Sequence, residues 1–195
     1  LRPVTLELGG KSAAILLDDV DLDASMDSLF GVTFLNNGQI CWLNTRVLAP
    51  RSRYSEVVDA LTGLAESLKV GDPPSIRRPR SVPPSSPRAS GNVSRGYIAK
   101  GKSEGARLTT GGGRPTDLDS GYFVQPTVFA DLDNTATIAR EEIFGPVLSV
   151  IPFGDEAEAL AIANDSEYGS VARCGRPTSN APPHSPAGSS PARSE

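Results

Sequence analysis

Phe34-Leu35-Asn36-Asn37-Gly38-Gln39-Ile40-Cys41-Trp42-Leu43-Asn44-Thr45-Arg46 is the stretch on which the reading of this chain turns. Cys41 is one of only two cysteines in 195 residues, and it stands between a Gly-Gln turn and a Thr-Arg pair. Upstream, Leu6-Glu7-Leu8-Gly9-Gly10-Lys11-Ser12 carries a carboxylate in a second glycine-containing context. A thiol nucleophile and a carboxylate set in such turns suggest covalent catalysis. Taken singly, neither is decisive. A lone cysteine is more often an inert buried thiol, and a glutamate before Gly-Gly is an ordinary strand-end charge.

The flanking sequence gives an α/β pattern. Residues 4–8 alternate and predict a strand, and Ala13 to Leu17 predict a short buried one. Asp21 or Asp23 is placed to N-cap a helix over roughly 24–36. Val47 to Pro50 reads as a strand ended by proline. From Ser52 to Leu68, Tyr54, Val57, Val58, Leu61, Leu64, Ala65 and Leu68 recur at helical spacing. Order is next expected from Arg95. A helix over 97–105, a strand over 106–110, a Gly111-Gly112-Gly113 turn and an alternating strand over 123–129 follow. Glu141-Glu142-Ile143-Phe144-Gly145-Pro146-Val147 leads from a loop into an apolar strand, and 155–164 reads as a helix.

Two stretches break the pattern. Residues 74–94 are rich in Pro, Arg and Ser, and five prolines between Pro74 and Pro87 forbid a regular helix or central strand. No apolar periodicity survives from 170 to 195. The expected organisation is therefore a core at 1–73, a low-order segment at 74–94, the rest of the domain at 95–169 and a disordered tail at 170–195. His184 and Cys174 stand alone in that tail, without a partner at ligand spacing, so no metal site is expected.

Bulk properties narrow the function. Net charge is −4 and no large basic patch exists, which gives a nucleic-acid role no electrostatic support. No apolar run approaches the ~18–20 residues of a membrane span. A free catalytic thiol suits a reducing cytoplasm. The chain has no initiator Met and opens just before the Glu7 motif, so it reads as a piece of something longer.

Together the Glu7 and Cys41 segments resemble the aldehyde dehydrogenase superfamily, in the right order and at the family's usual separation. Tyr122 to Val128, the Glu141 to Val147 loop and Ile162-Ala163-Asn164 also resemble family landmarks, and Asn164 reads as structural. The resemblance implies a fragment of the family's catalytic domain, an α/β fold with a three-layer, mixed or parallel sheet. It implies that Cys41 is the nucleophile and that Glu7 is the general base that activates the hydrolytic water. Glu142 matches the glutamate that binds the nicotinamide ribose, and Phe144 matches the aromatic beside the nicotinamide. The implied cofactor is NAD or NADP, the implied substrate an aldehyde oxidised to a carboxylic acid through a cysteine thioester, and the implied parent enzyme a homo-oligomer. Leu43 departs from the small residue of many members, while Ile40 and Trp42 either shape an apolar aldehyde pocket or are core. Two alternatives stay open: an acylating relative that passes the acyl group to coenzyme A, and a non-catalytic truncated remnant.

Both aberrant stretches fall where the family has ordinary ordered sequence. The hypothesis is that they are translated in a shifted frame. One base out of register, Pro74 to Pro83 can read Ile-Asp-Pro-Ala-Thr-Gln-Ile-Gly-Pro, and the tail from Gly169 can read as a helix-like sequence. An uninterrupted frame at the resequenced locus would end the idea.

Overall fold

The computed structural model describes residues 2–71, 81–82, 88–169 and 173–175. The apolar run after Gly9-Gly10 forms a strand, Ala13–Leu16 (β1), and Asp21 opens a helix, Leu22–Thr33 (α1). The Asp21 carboxylate accepts the Ala24 N–H, which satisfies one of the donors a helix start leaves unpaired. The helix ends before the expected residue 36 because Asn36 and Asn37 turn left-handed, at φ 50° and 61°. Arg46–Pro50 (β2) leads to Tyr54–Ser67 (α2), whose apolar stripe buries Val57, Val58, Leu61, Leu64 and Ala65. The larger of these side chains contribute ~1.5–3 kcal/mol each by leaving water. Then come Lys69–Val70 (β3), Ser81–Val82 (β4), Arg88–Ser103 (α3), Arg107–Thr110 (β5), Thr127–Ala130 (β6), Thr137–Arg140 (α4), Val147–Phe153 (β7), Glu156–Asn164 (α5) and Arg173–Gly175 (β8).

Six strands form one sheet in the order β5-β6-β7-β2-β1-β8, and β3 and β4 form a separate pair. Only β5 runs antiparallel to its neighbour; the remaining pairs in the large sheet are parallel. Side chains alternate across the pleat. Ala14, Val47, Ala49, Val128, Ala130, Leu148 and Val150 join one core with α1 and α2. Ala13, Leu48, Phe129, Val147, Ile151 and Phe153 join a second core, to which α3, α4 and α5 contribute Ile98, Ile138 and Ala159. The result is a three-layer α/β sandwich with a mixed, mostly parallel sheet, as the sequence predicts. Burial on both faces explains why β2 and β7 read as near-continuous apolar runs.

Several local expectations are corrected. Residues 4–8 form no strand. Val4, Leu6 and Leu8 are 76%, 69% and 71% exposed, and no described strand pairs with them. Alternation alone makes no strand without a partner edge. Of the alternating run 123–129, only residues 127–129 enter a strand, Thr127–Ala130, and its four residues are buried because both faces of the sheet are covered there. Helix α3 starts at Arg88, inside the segment expected to lack order, and β4 also falls there. The five prolines that motivate that expectation lie outside the described residues. The tail likewise supplies a short strand, β8, against β1, where none is expected. Residues 176–195, with His184, lie outside the described residues. Helix α4 is too short for periodicity to reveal.

Candidate active site

Strands β1, β2 and β7 are adjacent and parallel, with Ala13 opposite Arg46 and Arg46 opposite Ser149. The segments carrying Glu7, Cys41 and Glu142–Phe144 precede these three strands, so all three enter the sheet at the same end. Two close approaches bind them together. The Gly10 N–H donates to Glu142 Oε1 at 3.1 Å. A Cβ at Gly9 would lie 2.6 Å from Glu142 Oε2, so the carboxylate rests directly on the Gly-Gly turn. At Gly38, φ is +72° and a Cβ would come within 2.1 Å of the Gly145 carbonyl oxygen. Only glycine allows both that backbone conformation and that contact.

The Glu142 loop is thus the hub. Its backbone N–H reaches the Tyr168 hydroxyl at 3.4 Å. Neighbouring Glu141 accepts the Tyr97 hydroxyl at 2.6 Å, which holds that phenol's pKa up at about 12. Phe144 is 43% exposed and sits at φ 52°, a left-handed conformation uncommon for an aromatic. Cys41 is a free, exposed thiol in a turn. Trp42 beside it is 38% exposed, and Leu43 is buried in the core behind them. Glu7 is exposed on the segment before the Gly-Gly turn. The structure links the loops carrying Glu7 and Cys41 through the Glu142 loop.

Sequence reasoning misses two buried cations beneath these loops. Arg46 is 1% exposed. Its Nε donates to the Lys11 carbonyl at 2.9 Å, and its Nη1 donates to Asn134 Oδ1 at 2.7 Å and the Ile162 carbonyl at 2.9 Å. Its Nη2 donates to the Ala163 carbonyl at 3.0 Å. One guanidinium thereby joins the Gly-Gly-Lys turn to the C-terminal turn of α5, where carbonyls lack helical partners. Asn164, read from sequence as structural, is the last residue of that helix. Lys11 is 1% exposed, and its Nζ finds no hydrogen-bond partner among the described residues. Burial lowers its pKa to about 7, Arg46 pushes the same way, and Glu142 and Glu141 oppose them. The sequence does carry a signal for both: each is a cation at the mouth of a strand that is otherwise apolar.

Fold and loops together define a three-layer α/β domain whose conspicuous polar machinery lies at one end of its parallel strands. Residues 1–174 match the aldehyde dehydrogenase family, and the chain belongs to that family. It is 58% identical over 169 residues to the geranial dehydrogenase of Castellaniella defragrans, covering 87% of this chain and 34% of that protein. It is 43% identical over 174 residues to the betaine aldehyde dehydrogenase of Brucella ovis, covering 88% and 35%. Among solved structures, the Mycobacterium tuberculosis aldehyde dehydrogenase complexed with NAD+ superposes with a TM-score of 0.83 at 54% identity, covering 90% of this chain and 36% of that one. A mutant aldehyde dehydrogenase C from Pseudomonas syringae, in complex with NAD+ and octanal, gives a TM-score of 0.83 at 39% identity over 88% and 35%. The chain therefore spans about a third of the length of the relatives it matches.

Proposed function

We propose that this chain carries the acyl-transfer centre and part of the cofactor site of an NAD(P)-dependent aldehyde dehydrogenase. The observation that carries the proposal is the joining of three loops, those of Glu7, Cys41 and Glu142, at one end of three adjacent strands. Cys41, as a thiolate, adds to the aldehyde carbon and yields a thioester once the carbon is oxidised. Its backbone N–H would serve as one donor to the developing oxyanion. Glu7 takes a proton from the water that releases the acid. Exposure of both side chains is compatible with roles that require access to substrate and water. Trp42 and half-buried Ile40 flank the thiol with apolar surface, which favours an apolar aldehyde.

The residues present fit a nicotinamide cofactor. Glu142 offers a carboxylate oriented by the Gly10 N–H, and Phe144 offers an exposed aromatic face. Those two residues would hold the ribose and the nicotinamide side. When bound, the cofactor supplies the acceptor for the two electrons the aldehyde loses.

The test is a chimera. Residues 1–71 and 92–169 replace the matching third of a full-length relative, and NAD+ reduction with an aldehyde is followed. Cys41→Ser is expected to abolish turnover, and Glu7→Gln to stall after one acyl group per site. A serine variant with unchanged turnover overturns the nucleophile. Acyl-coenzyme A as the sole product would instead select the acylating alternative. The 195-residue chain alone is expected to reduce no cofactor, and turnover by it would refute that part.

A further inference from the structure

Helix α3 meets the Glu142 loop at two points that the mechanism leaves unused. Tyr97 donates its hydroxyl to Glu141 Oε2 at 2.6 Å, where the loop begins. Three residues earlier, on the same side of the helix, Ser94 abuts Gly145 where the loop ends. A Cβ at Gly145 would lie 2.1 Å from Ser94 Oγ and 3.2 Å from Ser94 Cβ. Ser94 is 0% exposed, and its hydroxyl finds no hydrogen-bond partner among the described residues. A buried hydroxyl without a partner makes no bond and still costs its desolvation, so what this position uses is the side chain's size. Gly145 is not left-handed. Its backbone would accept a side chain, and the space that Ser94 fills is what excludes one.

The other side of Gly145 is filled as well. Its carbonyl oxygen is the atom that a Cβ at Gly38 would meet at 2.1 Å, in the loop that leads to Cys41. The Gly145 peptide is thus sandwiched between α3 and the loop of the thiol. Nor is the helix free to retreat. Ser94, Ile98 and Gly101 share one buried face, at i, i+4 and i+7. Ile98 is 2% exposed, and a Cβ at Gly101 would lie 2.8 Å from Ile138 Cδ1 and 3.2 Å from Phe129 Cζ. We infer that α3 is the spacer of the site and that Ser94 is a positioning residue: its size sets how closely the Glu142 loop lies against the loop that carries Cys41. The geometry is independent of what Cys41 and Glu142 do; its consequence for turnover rests on the roles proposed for them.

The test uses the whole chain carrying Cys174→Ser, so that Cys41 is its only thiol. Ser94→Val adds a methyl group's bulk against Gly145. Modification of Cys41 by dithionitrobenzoate is expected to accelerate about fivefold, the low end of what overpacking does to a local opening. Emission from Trp42, the only tryptophan, should shift with it. An unchanged rate in the folded variant overturns the inference. Should Ser94→Val not fold, Gly145→Ala combined with Ser94→Gly serves instead. The new methyl takes the space that the hydroxymethyl leaves, so the pair should react within about twofold of the parent, whereas Gly145→Ala alone reacts faster. A pair that stays severalfold faster than the parent overturns the inference equally. In the chimeric enzyme, Ser94→Val should lower kcat severalfold, and the compensating pair should restore it. Normal turnover beside an altered thiol rate would count against the roles of Cys41 and Glu142 and not against the spacer.

Discussion

Gly38 shows how much one residue can fix. Its φ of +72° and the 2.1 Å approach of a would-be Cβ to the Gly145 oxygen leave no room for a side chain. Gly38→Ala is expected to cost upwards of ~2 kcal/mol, from left-handed strain and from separation of the two loops. Urea unfolding reads the loss. Lys11 makes a different prediction. Its pKa falls from 10.5 in the unfolded chain to about 7 in the fold. Between those values the unfolded state binds a proton that the folded state does not, so stability must rise with pH from about 7 towards 10.5. Lys11→Met should flatten that rise and make the fold more stable at pH 6. Unfolding midpoints between pH 6 and 10 decide it.

At the level of elements, Arg46 docks α5 onto the start of β1 and β2 through three carbonyls and Asn134. Arg46→Met would strand those acceptors, and a loss of about 3 kcal/mol or more is expected. Hydrogen exchange should report it first in Glu156–Asn164. This clamp also shows what sequence makes legible. Strong apolar periodicity gives α2, and short apolar runs give β1, β2 and β7, because burial on one or both faces writes itself into residue choice. The Asp21 and Asp155 caps are equally local, each accepting an N–H three residues on. The motif residues Cys41, Glu142 and Phe144 are likewise found at the loops their segments predict. What sequence leaves hidden is long-range. The cations Lys11 and Arg46 leave only their place at the mouths of apolar strands as a local sign, and nothing local tells that Glu142 rests on Gly10. Those facts arise only when β1, β2 and β7 become neighbours. The failure at residues 4–8 has the same cause, since pairing is decided by the neighbour and not by the strand.

Across the whole molecule, the segment before the Gly-Gly turn stands out. Val4, Leu6 and Leu8 present apolar side chains to solvent along an extended piece of chain. Exposed apolar alternation invites association. Leu6→Lys is expected to raise solubility and lower binding of an apolar dye, with no change in thermal midpoint. An unchanged dye signal would show that the segment is covered in solution. Among the described residues no helix is long and apolar enough to cross a membrane.

The contacts of Gly10 and Gly38 with the Glu142 loop have a bearing on how such proteins can be recombined. Each of the three loops is shaped by another, so a breakpoint that imports one without its companions would mismatch both seams. Cross-overs between homologues should fail between residues 9 and 46, where these contacts would be split. Shuffled libraries would then keep the three loops as a single heritable block.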